Sequence, residues 1–146
     1  MRSNLYPDQE KGLYMVRSAY SAGERRICAM MPTAAGKTVT AAAIIDRALR
    51  KGKRVLFTVP AIQLVDQTIE TLWSEGIRDI GVLQGRHPLT NPSMPVQVAS
   101  TQTLARRAFP PVDLAISGPL IDAVLRRLVA TLGCSCTSCC PILKHR

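Results

Sequence analysis

Met31-Pro32-Thr33-Ala34-Ala35-Gly36-Lys37-Thr38 is the most informative segment of this 146-residue chain. It follows a short apolar run over 26–31, which predicts a buried strand, and it opens a helical pattern over 38–50. A turn between a strand and a helix can direct several backbone N–H groups toward one point, where the helix N-terminus adds partial positive charge. The segment therefore predicts a phosphate-binding loop.

The residue types of the loop suit a nucleoside triphosphate. Gly36 permits close approach of the backbone and unusual dihedral angles. Lys37 is expected to reach the β- and γ-phosphates, and the Thr38 hydroxyl is expected to ligate Mg²⁺ that arrives with the nucleotide. We expect the nucleotide to contact the loop residues Pro32, Thr33, Ala34, Ala35, Gly36, Lys37 and Thr38.

Predicted strands and helices alternate along the rest of the chain. Strands are expected at 55–59, 80–83, 96–99 and 112–116, and helices at 9–21, 62–76 and 101–107. Ile62, Val65, Ile69 and Leu72 mark the apolar face of the 62–76 helix. The alternation predicts an α/β fold with a mainly parallel sheet, in which ligands bind at the carboxyl ends of the strands.

Charge and hydropathy restrict the class of protein. The formal net charge is +9, which suits a polyanionic partner such as nucleic acid. Aromatic residues make up only 4%, so contacts to the sugar–phosphate backbone are favoured over base stacking. No apolar run reaches the length that crosses a bilayer, and the N-terminus has no signal-peptide pattern. We therefore expect a cytoplasmic protein with no membrane partner.

Three further segments occur in a recognisable order around the loop. They are Leu5-Tyr6-Pro7-Asp8-Gln9, Val59-Pro60-Ala61-Ile62-Gln63-Leu64-Val65-Asp66-Gln67 and Val98-Ala99-Ser100-Thr101-Gln102-Thr103-Leu104. With the loop, they resemble the motifs of the first motor domain of superfamily 2 DEAD/DEAH-box helicases, of the bacterial and phage group related to type III restriction-enzyme helicase subunits. The resemblance covers residues 5–116 and implies a P-loop NTPase fold, a partial RecA-like three-layer α/β domain.

The resemblance also implies roles for particular residues. Gln9 would read the adenine edge, which makes ATP with Mg²⁺ the expected cofactor. Tyr6 replaces a usual Arg and Ala34 a usual Gly, whereas Met31 is normal for the group. DNA is favoured over RNA as the partner. The resemblance implies nucleic-acid contacts at Pro60, Ala61, Gln67, Gly85, Arg86, Thr101 and Gln102.

The resemblance breaks where the family continues V-D-L-x-I-x-D-E-A-H. This chain has Val112-Asp113-Leu114-Ala115-Ile116 and then Ser117-Gly118-Pro119-Leu120. The absent Asp would hold Mg²⁺ through water and the absent Glu would position the attacking water, so enzymatic hydrolysis stays an open question. Asp113 is predicted at the start of a strand, away from the site. We expect 1–116 to be an incomplete helicase ATP-binding domain whose natural partner is the missing second motor domain.

The tail over 117–146 departs from this pattern and concentrates cysteine, with Cys134, Cys136, Cys139 and Cys140. Three interpretations stay open: a frameshifted, truncated or disordered end; a small helical Cys-rich end; and a zinc site that adds His145, although the run lacks the second, separated half of such sites. The leading hypothesis for the chain is an ATP- and nucleic-acid-binding helicase fragment. The alternatives are another P-loop ATPase or kinase, and a non-enzymatic basic nucleic-acid-binding or inert truncated product.

Overall fold

A computed structural model of the chain describes residues 5–24, 27, 29, 36–106 and 111–117. In chain order the elements are α1 (Pro7–Ser21), α2 (Lys37–Leu49), β1 (Val55–Val59), α3 (Leu64–Ser74), β2 (Ile80–Val82), β3 (Val96–Ser100), α4 (Thr101–Arg106) and β4 (Leu114–Ser117). The strands form one sheet in the order β2-β3-β1-β4, and every neighbouring pair is parallel. The predicted α/β fold with a parallel sheet is confirmed.

Strand β1 lies inside the sheet, and its sequence reflects that position. All of its residues, Val55 to Val59, are buried, as expected for a parallel strand covered on both faces. Val55 is in register with Val96 of β3 on one side and with Leu114 of β4 on the other. This register aligns the strand ends, so that the loops that leave β1 and β3 start next to each other.

The sheet separates two apolar layers. On one face Val55, Phe57 and Val59 pack with apolar residues of α2 and α3, in the larger core cluster. On the other face Leu56 packs with Leu104 of α4. Alternate residues of one strand therefore serve different cores, which is the three-layer arrangement expected of the fold.

Helix α1 packs on α2, and α2 packs on β1 and α3. Helix α1 starts with Pro7 in its first turn, where the absent N–H of proline costs no helical bond. Small side chains dominate the buried side of α2, including Ala42 at 0% exposure, and they let α2 approach the sheet closely. Helix α2 ends before Gly52, whose φ of +67° suits a glycine at a helix stop.

Several element boundaries differ from the sequence prediction. Helix α3 begins at Leu64, not at Ile62, and Ile62 is 39% exposed. The predicted apolar face of that helix is therefore correct at Val65, Ile69 and Leu72 but wrong at Ile62, since the loop after β1 continues through it. The strand predicted at 26–31 falls mostly outside the described residues, as does the tail over 118–146. Among the described helices, none has the length and apolarity needed to cross a bilayer.

A buried glutamine fixes the proline-rich loop between β2 and β3. Gln97 is fully buried in β3, and its Nε2 donates hydrogen bonds to the carbonyl oxygens of Asn91 (2.9 Å) and Met94 (2.8 Å). Gly81 of β2 lies beside Gln97 in the register. A Cβ at position 81 would overlap the Asn91 carbonyl oxygen and stand 2.7 Å from Gln97 Nε2, so this site has room only for glycine.

We expect Gly81→Ala to lower the free energy of unfolding by about 1–3 kcal/mol, because the added methyl must displace the clamped loop. Gly12→Ala is the matched control: position 12 lies in α1 with open space around it, and removal of a helix glycine stabilises by up to about 1 kcal/mol. Urea unfolding measures both variants. A Gly81→Ala variant that is as stable as wild type, or is stabilised as Gly12→Ala is, would contradict the packing described for Gly81.

Candidate functional site

The described end of the predicted phosphate loop has the geometry of an anion-binding helix start. Gly36 is the N-cap of α2 and adopts a left-handed conformation, with φ +68° and ψ +41°. The first backbone bond of the helix runs from the Thr40 N–H to the Gly36 carbonyl oxygen, at 3.0 Å. The amides of Lys37, Thr38 and Val39 therefore have no acceptor within the helix, which is the donor arrangement that phosphates use.

Side chains at this helix start match the predicted roles in type and exposure. Lys37 is exposed, and Thr38 is half-buried at the second helical position. The remaining loop residues predicted to contact nucleotide, Pro32 to Ala35, lie outside the described residues. The expected ammonium and hydroxyl are thus adjacent to the first amides of α2.

Gln9 reaches this helix start from α1. It is buried, at 5% exposure, and its Oε1 accepts a hydrogen bond of 3.1 Å from the Tyr6 backbone N–H. A Cβ at Gly36 would overlap Gln9 Nε2, so the amide of Gln9 lies directly against the loop glycine. The structure therefore brings the predicted adenine-reading residue and the predicted phosphate loop together, although they are far apart in sequence.

The start of α2 faces the carboxyl edge of the sheet. Helix α2 has 13 residues and is about 20 Å long, and only residues 50–54 connect its end to the start of β1. Since β1 begins at the amino edge, the helix must run antiparallel to it and begin near the opposite edge. That edge is where ligands bind in parallel α/β sheets.

Two of the predicted nucleic-acid segments are joined at the same edge. The Thr101 hydroxyl donates a 3.0 Å hydrogen bond to the Pro60 carbonyl oxygen and so links the end of β3 to the loop after β1. Thr101 is only 7% exposed, whereas Gln102 is exposed. In this structure the Thr101 hydroxyl holds the two segments together, and Gln102 presents its side chain to solvent.

A histidine connects the turn that contains Gly85 and Arg86 to α3. His87 Nε2 lies 2.8 Å from Asp66 Oδ1, and the Leu89 backbone N–H donates to His87 Nδ1 at 3.1 Å. Because Nδ1 accepts from a backbone amide, the ring proton lies on Nε2 and is donated to the carboxylate. This contact ties the exposed Gly85–Arg86 turn to the first turn of α3.

Asp113 immediately precedes β4, the strand after which the family carries its acidic pair. It lies at the amino edge of the sheet, opposite to the start of α2. Its carboxylate accepts hydrogen bonds from the Arg54 backbone N–H (2.9 Å) and from Lys53 Nζ (3.1 Å) at the start of β1. The Arg54 amide and then the Lys53 ammonium hold the pKa of Asp113 below its ordinary value. Asp113 therefore fastens β4 to β1 and is remote from the start of α2, as its sequence position predicts.

Sequence reasoning missed two features of the carboxyl edge. The first is the His87–Asp66 contact, whose partners lie on different elements; Asp66 belongs to a quoted motif, but His87 belongs to none. The second is an open cleft of about 540 Å³ between the loop after β1 and α4, lined by Ile62, Gln102, Thr103, Ala105 and Arg106. The apolar spacing predicts Ile62 within the helix, and nothing in that spacing indicates that it lies in the loop before α3.

Comparison with known protein families places this geometry in context. Residues 2–117 match the family described as type III restriction enzyme, res subunit, which is most of the chain. The match confirms the resemblance to the N-terminal domain of superfamily 2 helicases and the P-loop α/β fold. At the family level it supports ATP binding with Mg²⁺. A search of the curated proteins found no match to the chain.

We expect Asp113→Ala to lower the urea midpoint of unfolding at pH 7, because both hydrogen bonds to the carboxylate are lost. The folded-state pKa is lowered, so this stabilisation is present above the unfolded-state pKa near 4 and disappears as the pH falls through the folded-state value. The difference between variant and wild type should therefore shrink as the pH falls below the unfolded-state pKa near 4 and vanish below the lowered folded-state pKa.

Asp79→Ala is the control for this experiment, since Asp79 is an exposed aspartate in the loop before β2. Its side chain makes no hydrogen bond or ion pair within the described residues, so its removal should leave the midpoint nearly unchanged. A pH-independent difference for Asp113→Ala would show that the charge of Asp113 does not stabilise the junction of β4 and β1.

Proposed function

We propose that this chain, which belongs to the type III restriction enzyme res-subunit family, binds ATP with Mg²⁺ at the start of α2 and a nucleic-acid strand across the carboxyl edge of its sheet. The observation that carries the proposal is the left-handed Gly36 at the start of α2 with the Gln9 amide against it. The start of one helix would then offer phosphate donors and an adenine-reading amide together.

The residues present fit a bound nucleoside triphosphate. A side chain at position 36 would fill the space against Gln9, so glycine leaves the backbone open to a phosphate. The amides at the start of α2 and the exposed Lys37 ammonium would hold the phosphates. The Thr38 hydroxyl would ligate the Mg²⁺ that accompanies them, and Mg²⁺ would neutralise charge on the phosphate oxygens.

Nucleic acid is the partner that the second half of the site supports. Pro60, Ala61, Gln67, Gly85, Arg86 and Gln102 belong to loops and helix starts that the Thr101–Pro60 and His87–Asp66 contacts hold at one edge. The formal net charge of +9 favours a polyanion there. We propose DNA as the strand, with a second motor domain as the partner that would complete a translocating enzyme.

Hydrolysis by this chain alone is expected to be slow. After β4 the sequence continues through Gly118-Pro119-Leu120, without the acidic pair that would organise Mg²⁺ and the attacking water. Asp113 does not replace that pair, because it is held at the amino edge by Arg54 and Lys53. Rapid ATP turnover stimulated by single-stranded DNA would contradict this part of the proposal.

The test of the nucleotide site is Gln9→Glu, which keeps an oxygen for the Tyr6 N–H and removes the amide donor. We expect the preference for ATP over GTP, measured by fluorescence titration with labelled nucleotides, to fall about fivefold, the value of one hydrogen bond of about 1 kcal/mol. The ratio of the two affinities is the readout, because the added negative charge weakens the binding of both ATP and GTP.

Two further variants complete the experiment. Lys37→Ala should abolish binding of both nucleotides, because it removes the ammonium from the phosphates. Gln63→Glu makes the same chemical change at an exposed residue just before α3 and should leave the ATP-to-GTP ratio unchanged. An unchanged ratio in Gln9→Glu would overturn the adenine role of Gln9, and absence of nucleotide binding in wild type would overturn the proposed site.

A further inference from the structure

Helix α1 contributes little of its surface to the core. It packs on α2, and only Gln9 and Leu13 of its 15 residues are buried. All three tyrosines of the chain lie on α1 or at its N-cap, and the side away from α2 exposes Tyr14 at 72% and Met15 at 62%. Tyrosine and methionine are enriched in the cores of protein interfaces, and clustered exposed apolar side chains mark interaction sites. The outer side of α1 is therefore a candidate docking surface.

The exposed residues of this side follow one line along the helix. Lys11, Tyr14 and Ser18 are exposed and lie three and four positions apart, so their side chains are neighbours on the helix surface. This outer stripe points away from Leu13, and Met15 borders it on one flank. Its centre is thus aromatic and apolar, and its ends are polar.

Two charged residues border the other flank of the outer stripe. Glu10 and Arg17 are both exposed and lie seven positions apart, which places them almost on one line along α1. In the part of the chain that the structure describes, neither side chain makes a salt bridge or a hydrogen bond. The midpoint between them falls beside Tyr14. The acid precedes this midpoint and the base follows it, so the surface is complementary to an antiparallel copy of itself.

We propose that the outer stripe is the interface of a homodimer, in which α1 of one copy packs antiparallel on α1 of a second copy about a two-fold axis beside Tyr14. Glu10 of each copy then lies against Arg17 of the other, so the symmetry makes two ion pairs from one pair of residues. The two Tyr14 rings meet at the axis, where an offset stack buries them next to Met15. Lys11 extends its ammonium to solvent at the rim.

The charge order is what favours a second copy over an unrelated partner. A two-fold interface requires a surface that is complementary to itself, whereas a contact with another protein does not. Helix α1 is about 22 Å long, so a pair of such helices is at the small end of the range of specific interfaces. A dissociation constant in the micromolar range is therefore expected. The interface uses neither the start of α2 nor the carboxyl edge of the sheet, and the inference does not rest on the proposed function.

The first measurement is sedimentation of the full chain over a micromolar concentration series, in which wild type should show a reversible equilibrium between monomer and dimer. Tyr14→Lys removes the stack and brings two ammonium groups together at the axis, so it should raise the dissociation constant at least about tenfold. Tyr20→Lys is the matched control, because it makes the same change on the same helix but off the outer stripe. It should leave the dissociation constant unchanged.

The second measurement is a charge exchange that leaves Tyr14 in place. Glu10→Arg and Arg17→Glu each bring like charges together twice in the dimer, and each should weaken association by about tenfold. The double variant restores opposite charges across the axis and should associate as wild type does. This pair keeps the test decisive if Tyr14→Lys proves unstable, and thermal unfolding midpoints check the fold of every variant.

Three outcomes would overturn the homodimer. The first is a wild type that stays monomeric throughout the series, and the second is association that persists in Tyr14→Lys, which would show that another surface is responsible. The third is a double variant that associates no better than the single ones, because the two charges then do not face each other. Tyr14→Lys should bind nucleotide as wild type does. Loss of the dimer with unchanged nucleotide affinity would support an interface separate from the proposed site, and a wild type that dimerises without binding nucleotide would contradict the proposed function alone.

Discussion

Parallel pairing of β1 with β3 on one side and β4 on the other is the constraint on which the structure depends. In a parallel sheet all strands end at the same edge, so the segments that follow β1 and β3 must meet. The register of Val59 with Ser100 makes Pro60 and Thr101 neighbours although they are separated by 41 positions. The candidate nucleic-acid surface is thus a consequence of strand direction, and its side chains only refine it.

The two edges of the sheet differ in how their polar groups are used. At the amino edge the carboxylate of Asp113 pairs with Lys53 and the Arg54 amide, and the Arg54 guanidinium donates to the Pro92 carbonyl oxygen at 2.9 Å. At the carboxyl edge Arg86, Gln102 and Arg106 extend into solvent. The polar groups of Asp113, Lys53 and Arg54 are therefore engaged within the protein, which favours stability, whereas the three carboxyl-edge side chains are accessible to a ligand.

The sequence predicts the elements better than the contacts between them. The continuous apolar run of β1 indicates a buried parallel strand, because burial on both faces leaves no polar alternation. The small residues of α2 indicate a closely packed helix. The meeting of Gln9 with Gly36 was expected only from the resemblance to a family. Contacts such as His87 with Asp66, and the position of Ile62 outside α3, depend on loop paths that no local periodicity encodes.

The proposed function assigns the holding and the cleavage of a nucleotide to separate segments. The proposed holding groups are the amides at the start of α2 and Lys37, which follow the left-handed Gly36. The cleaving groups of the family would follow β4, whose last residue, Ser117, is in register with Thr58 of β1. Thr58 is fully buried, and within the described residues its hydroxyl has no hydrogen-bond partner. Under the proposed function, a chain that lacks the acids after β4 would therefore lose hydrolysis while the start of α2 keeps its binding geometry.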